Sequence, residues 1–82
     1  MGNLTVIWDP VDDPTGNVQH IADHGINKEE VEAVLENPMG LDVSRSSGRP
    51  IAFGTTRKGR LIAVVFEEID PEMVYPVTAF DL

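Results

Sequence analysis

The chain has 82 residues, of which 41% are hydrophobic and 24% charged, a composition typical of one globular domain over residues 1–82 rather than of a disordered segment. No apolar run reaches the length of a membrane span, the first residues lead into a strand-like segment rather than a signal peptide, and cysteine is absent. Disulfides and thiolate metal sites are therefore excluded, a cytoplasmic location is expected, and the net charge of −8 disfavours general affinity for nucleic acid.

The first part of the chain predicts a strand followed by a short helix. The segment 4–8 is β-branched and aromatic, and the Asp9-Pro10 pair that follows is typical of a strand end. Asp12 and Asp13 supply a helix cap before Pro14, and Gly25 supplies a stop. A first helix is therefore expected over 14–24.

The second helix has the clearest local signature. Asn27 is the expected N-cap and Glu30 the acid of a capping box, while Ile26 and Val31 have the spacing of a hydrophobic staple. Because Pro38 prevents continuation, we expect a helix over 28–37.

Strands dominate the second half. Residues 39–50 read as a loop with a short extended piece at 41–43, and 51–57 alternates as a strand does. Lys58-Gly59 predicts a two-residue turn, and the continuous apolar run 61–66 predicts a central strand of an antiparallel hairpin.

A last strand is predicted over 74–80, where Pro76 favours an edge position or a bulge. Two short helices and these strands indicate an α+β fold, with the helices packed on a small, mainly antiparallel sheet.

Charge is distributed unevenly along the chain. No acid occurs between Ser44 and Arg60, a stretch that holds five of the six basic residues: Arg45, Arg49, Arg57, Lys58 and Arg60. Guanidinium groups beside serines and a glycine are suited to binding phosphate. The alternative is that these residues belong to a solvated loop and to strand ends, and the sequence does not show whether they form one patch.

Two further groups have structural alternatives. His20 and His24 share a helix face, but without more ligands they favour surface and helix-end roles over a metal site. The acids at positions 9, 12 and 13 are better explained by a turn and a cap than by catalysis. No metal and no cofactor are predicted.

The order of motifs resembles a known family. Trp8-Asp9-Pro10 is followed by a helix from Asn17 to the His-Gly-Ile of positions 24–26, an acidic second helix, and Gly59-Arg60 opening a strand with Val-Val-Phe at 64–66. This order is similar to the BrnT group of toxins in the RelE-like superfamily. The resemblance implies two helices on an antiparallel sheet, metal-independent endoribonuclease activity, and a cognate antitoxin encoded alongside. The last strand lacks the arginines typical of that family.

A ribonuclease of this kind needs cations at the phosphate and groups that transfer protons. We assign the first role to Arg45, Arg49 and Arg60, and the second to His24 or Tyr75. Arg57 and Lys58 are assigned to RNA or phosphate binding.

The competing hypothesis is a non-catalytic module that binds a protein partner. In it the basic loop contacts an acidic protein, or the second helix presents carboxylates to a basic one: Glu29, Glu32 and Glu36.

Overall fold

The architecture is a five-stranded sheet with two helices on one face. The computed structural model describes residues 4–82, so positions 1–3 of the predicted domain lie outside the described part. The elements in chain order are β1 (Thr5–Val6), α1 (Asn17–Ala22), α2 (Lys28–Glu36), β2 (Gly40–Val43), β3 (Pro50–Thr55), β4 (Leu61–Asp70) and β5 (Met73–Asp81). The strand order is β1-β5-β4-β3-β2, and every pairing is antiparallel except that of β1 with β5. The predicted α+β class is confirmed.

The core lies between the helices and one face of the sheet. Its buried members are Ile21, Ile26, Val31, Val34, Leu35, Ala52, Ile62, Val64, Val74 and Ala79. Trp8 and Phe66 pack against this cluster while remaining partly exposed. No helix within residues 4–82 is long and apolar enough to cross a bilayer.

Helix α2 forms where its local signals place it. Glu30 N donates to Asn27 Oδ1 at 2.9 Å, and Asn27 N donates to Glu30 Oε1 at 3.0 Å, so both bonds of the capping box are present. The staple residues Ile26 and Val31 are both buried in the core. The prediction for this helix is confirmed.

Helix α1 is shorter than expected, beginning at Asn17 rather than at position 14. The Asp13 carboxylate accepts bonds from the backbone N–H and the hydroxyl of Thr15, which forms a turn instead of a helix cap. Gly16 is extended, with φ −79° and ψ 167°. The predicted capping role of Asp12 or Asp13 is therefore wrong, but the stop at Gly25 is confirmed, since Gly25 has φ +74° and follows the last turn.

The β3–β4 hairpin is antiparallel, as predicted, but its loop has three residues rather than two. Thr56 N donates to Arg60 O at 2.8 Å, and Gly59 N donates to Thr56 O at 2.9 Å. Gly59 has φ +83°, so the loop is a turn closed by a glycine bulge. One additional loop residue changes which residues face each other across the two strands.

Strand β4 is central, as predicted, and extends to Asp70. Pro76 lies beside a bulge and not at an edge, because the register shifts between Val65, opposite Thr78, and Phe66, opposite Pro76.

Strand β1 is only two residues long, shorter than the predicted 4–8, since beyond it the carbonyl of Ile7 bonds to a side chain instead of a strand.

That side chain is Asn17, which is 2% exposed and joins three parts of the chain. Its backbone N–H donates to Asp9 Oδ2 at 2.9 Å, and its Oδ1 accepts from Asp9 N at 2.9 Å. Its Nδ2 donates to the carbonyl oxygens of Ile7 and Pro76, each at 3.0 Å. Asn17 therefore fixes the end of β1, the start of α1 and the bulge of β5 in one network.

We expect Asn17→Ala to lower the free energy of unfolding by about 3 kcal/mol, because it removes the side-chain bonds and leaves buried backbone groups without partners. The matched control is Gln19→Ala, two residues on, which removes one exposed bond to Val11 O and should cost no more than about 0.5 kcal/mol. Urea unfolding of both variants measures the difference. Equal losses would contradict the central role of Asn17.

Candidate functional site

The five basic residues of the acid-free stretch form two groups at opposite ends of β3. Arg45 and Arg49 precede the strand, whereas Arg57, Lys58 and Arg60 lie between it and β4. Strand β3 covers five residue steps, a length of roughly 17 Å. Arg45, Arg49 and Arg60, which we assigned together to a phosphate, are therefore not brought together.

Arg60 is engaged by neighbouring parts of the protein. Its Nε and Nη2 donate to the two carboxylate oxygens of Asp81, at 2.5 and 2.7 Å, and its Nη1 donates to Gly25 O at 2.7 Å. Glu30 lies 3.5 Å from Nη1. The bonds to Asp81 raise the pKa of Arg60 and lower the pKa of Asp81. Arg60 thus clamps the end of β5 to the turn after α1.

His24 lies beside this clamp. Its carbonyl oxygen is 3.4 Å from Arg60 Nη2, and its ring, exposed to solvent, is 5.9 Å from that of His20, as the four-residue spacing implies. Within residues 4–82, no group of three or more metal-ligating side chains includes this pair or occurs elsewhere.

Tyr75 lies at the other end of the sheet, in a row of polar residues. Its hydroxyl donates to Asp9 Oδ2 at 2.5 Å, which lowers the pKa of Asp9 and raises the pKa of Tyr75 to about 12. Glu67 lies opposite Tyr75 on β4, with Arg49 Nε 3.7 Å from its carboxylate. The structure therefore brings Arg49 and Tyr75 to the same end of the sheet. Because its proton is held by Asp9, Tyr75 is a poor base at neutral pH.

The segment 44–49 is a closed hairpin turn. Ser44 N donates to Arg49 O at 2.7 Å and Gly48 N donates to Ser44 O at 2.8 Å. Gly48 has φ +73°, which glycine adopts without strain. Arg45 is exposed on this turn, and no carboxylate of the described chain lies within ion-pair distance of it.

The acidic surface of α2 is only partly available. Trp8 Nε1 donates to Glu32 Oε2 at 2.8 Å, so Glu32 is turned back towards β1. Glu29 and Glu36 are exposed. Two of the three carboxylates predicted to face a basic partner are therefore accessible.

An apolar surface that no local sequence pattern predicts lies on the second face of the sheet, which we call the open face. Because side chains alternate along a strand, the residues next to Ala52, Ile62 and the other buried members of the helix-side layer point away from the helices. The open face carries Ile51 and Phe53 of β3, Ala63 and Val65 of β4, and Thr78 and Phe80 of β5. Leu82, 64% exposed, lies beside it. The alternation of side chains at 51–55 is visible in the sequence. The sequence does not show which face of this strand the helices cover.

The bond between Tyr75 and Asp9 predicts an unusual titration of this single tyrosine. The bond contributes fully to the free energy of unfolding below pH 10, the ordinary pKa of tyrosine. This contribution is lost as the pH rises towards 12, the raised pKa of Tyr75. Ultraviolet titration of the phenolate should therefore give a midpoint near 12 while circular dichroism still reports a folded chain. Asp9→Asn should lower the midpoint, whereas Asp12→Asn should not. A midpoint near 10 in the folded wild type would contradict the assigned contact.

Comparison with known proteins identifies no relative. The chain matches no protein-family model, no curated protein and no solved structure. The functional assignment therefore depends on the residues and on the motif order given above.

Proposed function

We propose that this chain is the toxin-type component of a BrnT-like type II toxin–antitoxin pair, located in the cytoplasm, and that it acts by binding a protein partner. The order of motifs supports the family, and the two-helix, mainly antiparallel sheet is of the class that the resemblance implies. The absence of cysteine agrees with a reducing compartment.

The observation that carries the proposal is the apolar open face. Phe53, Phe80 and Leu82 expose apolar surface on a sheet face that no element of the described chain covers. Apolar surface of this kind is typical of interfaces with other proteins, whereas a surface that binds RNA is basic. With a net charge of −8, the chain is better suited to a protein than to RNA.

A second candidate function is metal-independent cleavage of RNA, favoured by the position of Arg45 and Arg49 at the same end of the sheet as Tyr75. The arginines would stabilise the negative charge that develops on phosphate. Arg60 has no part in this candidate site, because Asp81 already binds its guanidinium in a bidentate pair. His24 lies with Arg60 at the opposite end of the hairpin, which leaves Tyr75 as the proton-transfer group at this end.

The partner-binding proposal predicts different effects for two exposed leucines. Leu82→Ser removes apolar surface beside the open face, and Leu41→Ser removes the same side chain from the edge strand β2, where Leu41 is 69% exposed. When the chain is co-expressed with the product of the adjacent gene and purified under native conditions, Leu82→Ser should weaken the complex by about tenfold or more and Leu41→Ser should not. An unchanged complex in Leu82→Ser would contradict the proposal.

The second candidate has its own test. Purified chain should cut RNA in the presence of EDTA, and joint replacement of Arg45 and Arg49 by alanine should reduce the rate about a hundredfold. Lys28→Ala, the control on α2 outside the acid-free stretch, should retain the rate. Loss of cleavage in Lys28→Ala to the same extent, or a requirement for added metal, would reject this site.

A further inference from the structure

A depression of about 300 Å³ lies on the open face near its β2 side. It is lined by Asp42, Ile51, Phe53, Ala63, Phe80 and Leu82. Five of these side chains are apolar, and the one acid lies on the exposed strand β2. The depression is therefore an apolar hollow with a single carboxylate on its lining.

The hollow follows from the order of side-chain sizes across the sheet. Gly40, Phe53, Ala63 and Phe80 lie opposite one another in a single row over four strands. Ala63, which is small and 2% exposed, forms part of the lining of the hollow between the two phenylalanines. A side chain at position 40 would overlap the Phe53 ring, so glycine there leaves room for the ring on the β2 side.

The carboxylate of Asp42 has capacity for a further partner. Its Oδ1 accepts the N–H of the next residue, Val43, at 2.8 Å. No cation within residues 4–82 lies within ion-pair distance of it. An unpaired carboxylate beside two aromatic rings and an aliphatic floor matches the chemistry of an arginine or lysine side chain, which has a cationic head and an apolar stem.

We propose that this depression is the anchor site for an arginine or lysine side chain of a basic protein segment. The cationic head pairs with Asp42 and lies over the rings of Phe53 and Phe80, while the stem covers Ala63 and Leu82. The proposal rests on the proposed partner-binding function and specifies the charge of the partner. The net charge of −8 favours a basic segment over a second copy of this chain, which would carry the same charge.

Titration of the full chain with N-acetyl-arginine methylamide, followed by NMR, tests the anchor site. The amides of Asp42, Phe53, Ala63 and Phe80 should shift and saturate. The citrulline analogue has nearly the same shape without the charge, and it should bind about tenfold more weakly. Asp42→Asn should reduce the affinity for the arginine probe to that of the citrulline probe. Asp70→Asn, which removes the same charge from the far end of β4, should have no effect.

Three results would overturn the anchor site: no saturable shift at these amides, equal affinity for both probes, or equal weakening by Asp70→Asn. Saturable shifts of the same amides by a short RNA oligonucleotide, stronger than those by the arginine probe, would also reject it in favour of nucleic acid. If the arginine probe fails while Leu82→Ser still weakens the native complex, only the anchor site is lost. If the probe binds while Leu82→Ser leaves the complex intact, the proposed function is lost instead.

Discussion

One buried asparagine, Asn17, links the end of β1, the start of α1 and the bulge of β5 by hydrogen bonds. Local sequence patterns do not predict these contacts. Asn17 bonds to Asp9, Ile7 and Pro76, which belong to the segment after β1 and to β5. An unsatisfied amide at this depth is costly, so the chain must bring all three partners to it. With Asn17 in place, α1 begins next to the bulge of β5, and Asp9 is positioned to receive the Tyr75 hydroxyl. One face of the sheet is then covered by helices and the other is left open.

Two of the groups that the sequence offers for catalysis, Arg60 and Tyr75, are used in holding the fold together. Arg60 is bound by Asp81 and by the turn after α1, and Tyr75 is bound by Asp9. The surface that no described residue covers is instead apolar, with Asp42 as the carboxylate lining its hollow. This division supports recognition of a protein more than turnover of RNA, because a phosphate-binding site needs uncommitted cations gathered at one place.

The capping box of α2 was predictable from the sequence because it involves residues three apart. The two-residue turn at Lys58-Gly59 and the cap at Asp12 or Asp13 were wrong, and features set by distant pairings were not visible. The start of α1 depends on Asp9, eight residues upstream of Asn17, which no local pattern reveals. The hollow depends on register: a two-residue turn at Lys58-Gly59 would set Val64 opposite Phe53, whereas the three-residue loop sets Ala63 there. The separation of Arg49 from Arg60 likewise follows from the length of β3.

The central claim is that a protein partner covers the open face. Hydroxyl-radical footprinting of the chain, free and in its native complex, measures this directly for individual side chains. The account predicts that oxidation of Phe53, Phe80 and Leu82 falls in the complex, while that of Met39 and Leu41, exposed at and beside the edge strand β2, is unchanged. Protection of Met39 and Leu41 with full reactivity at Phe80 and Leu82 would contradict it.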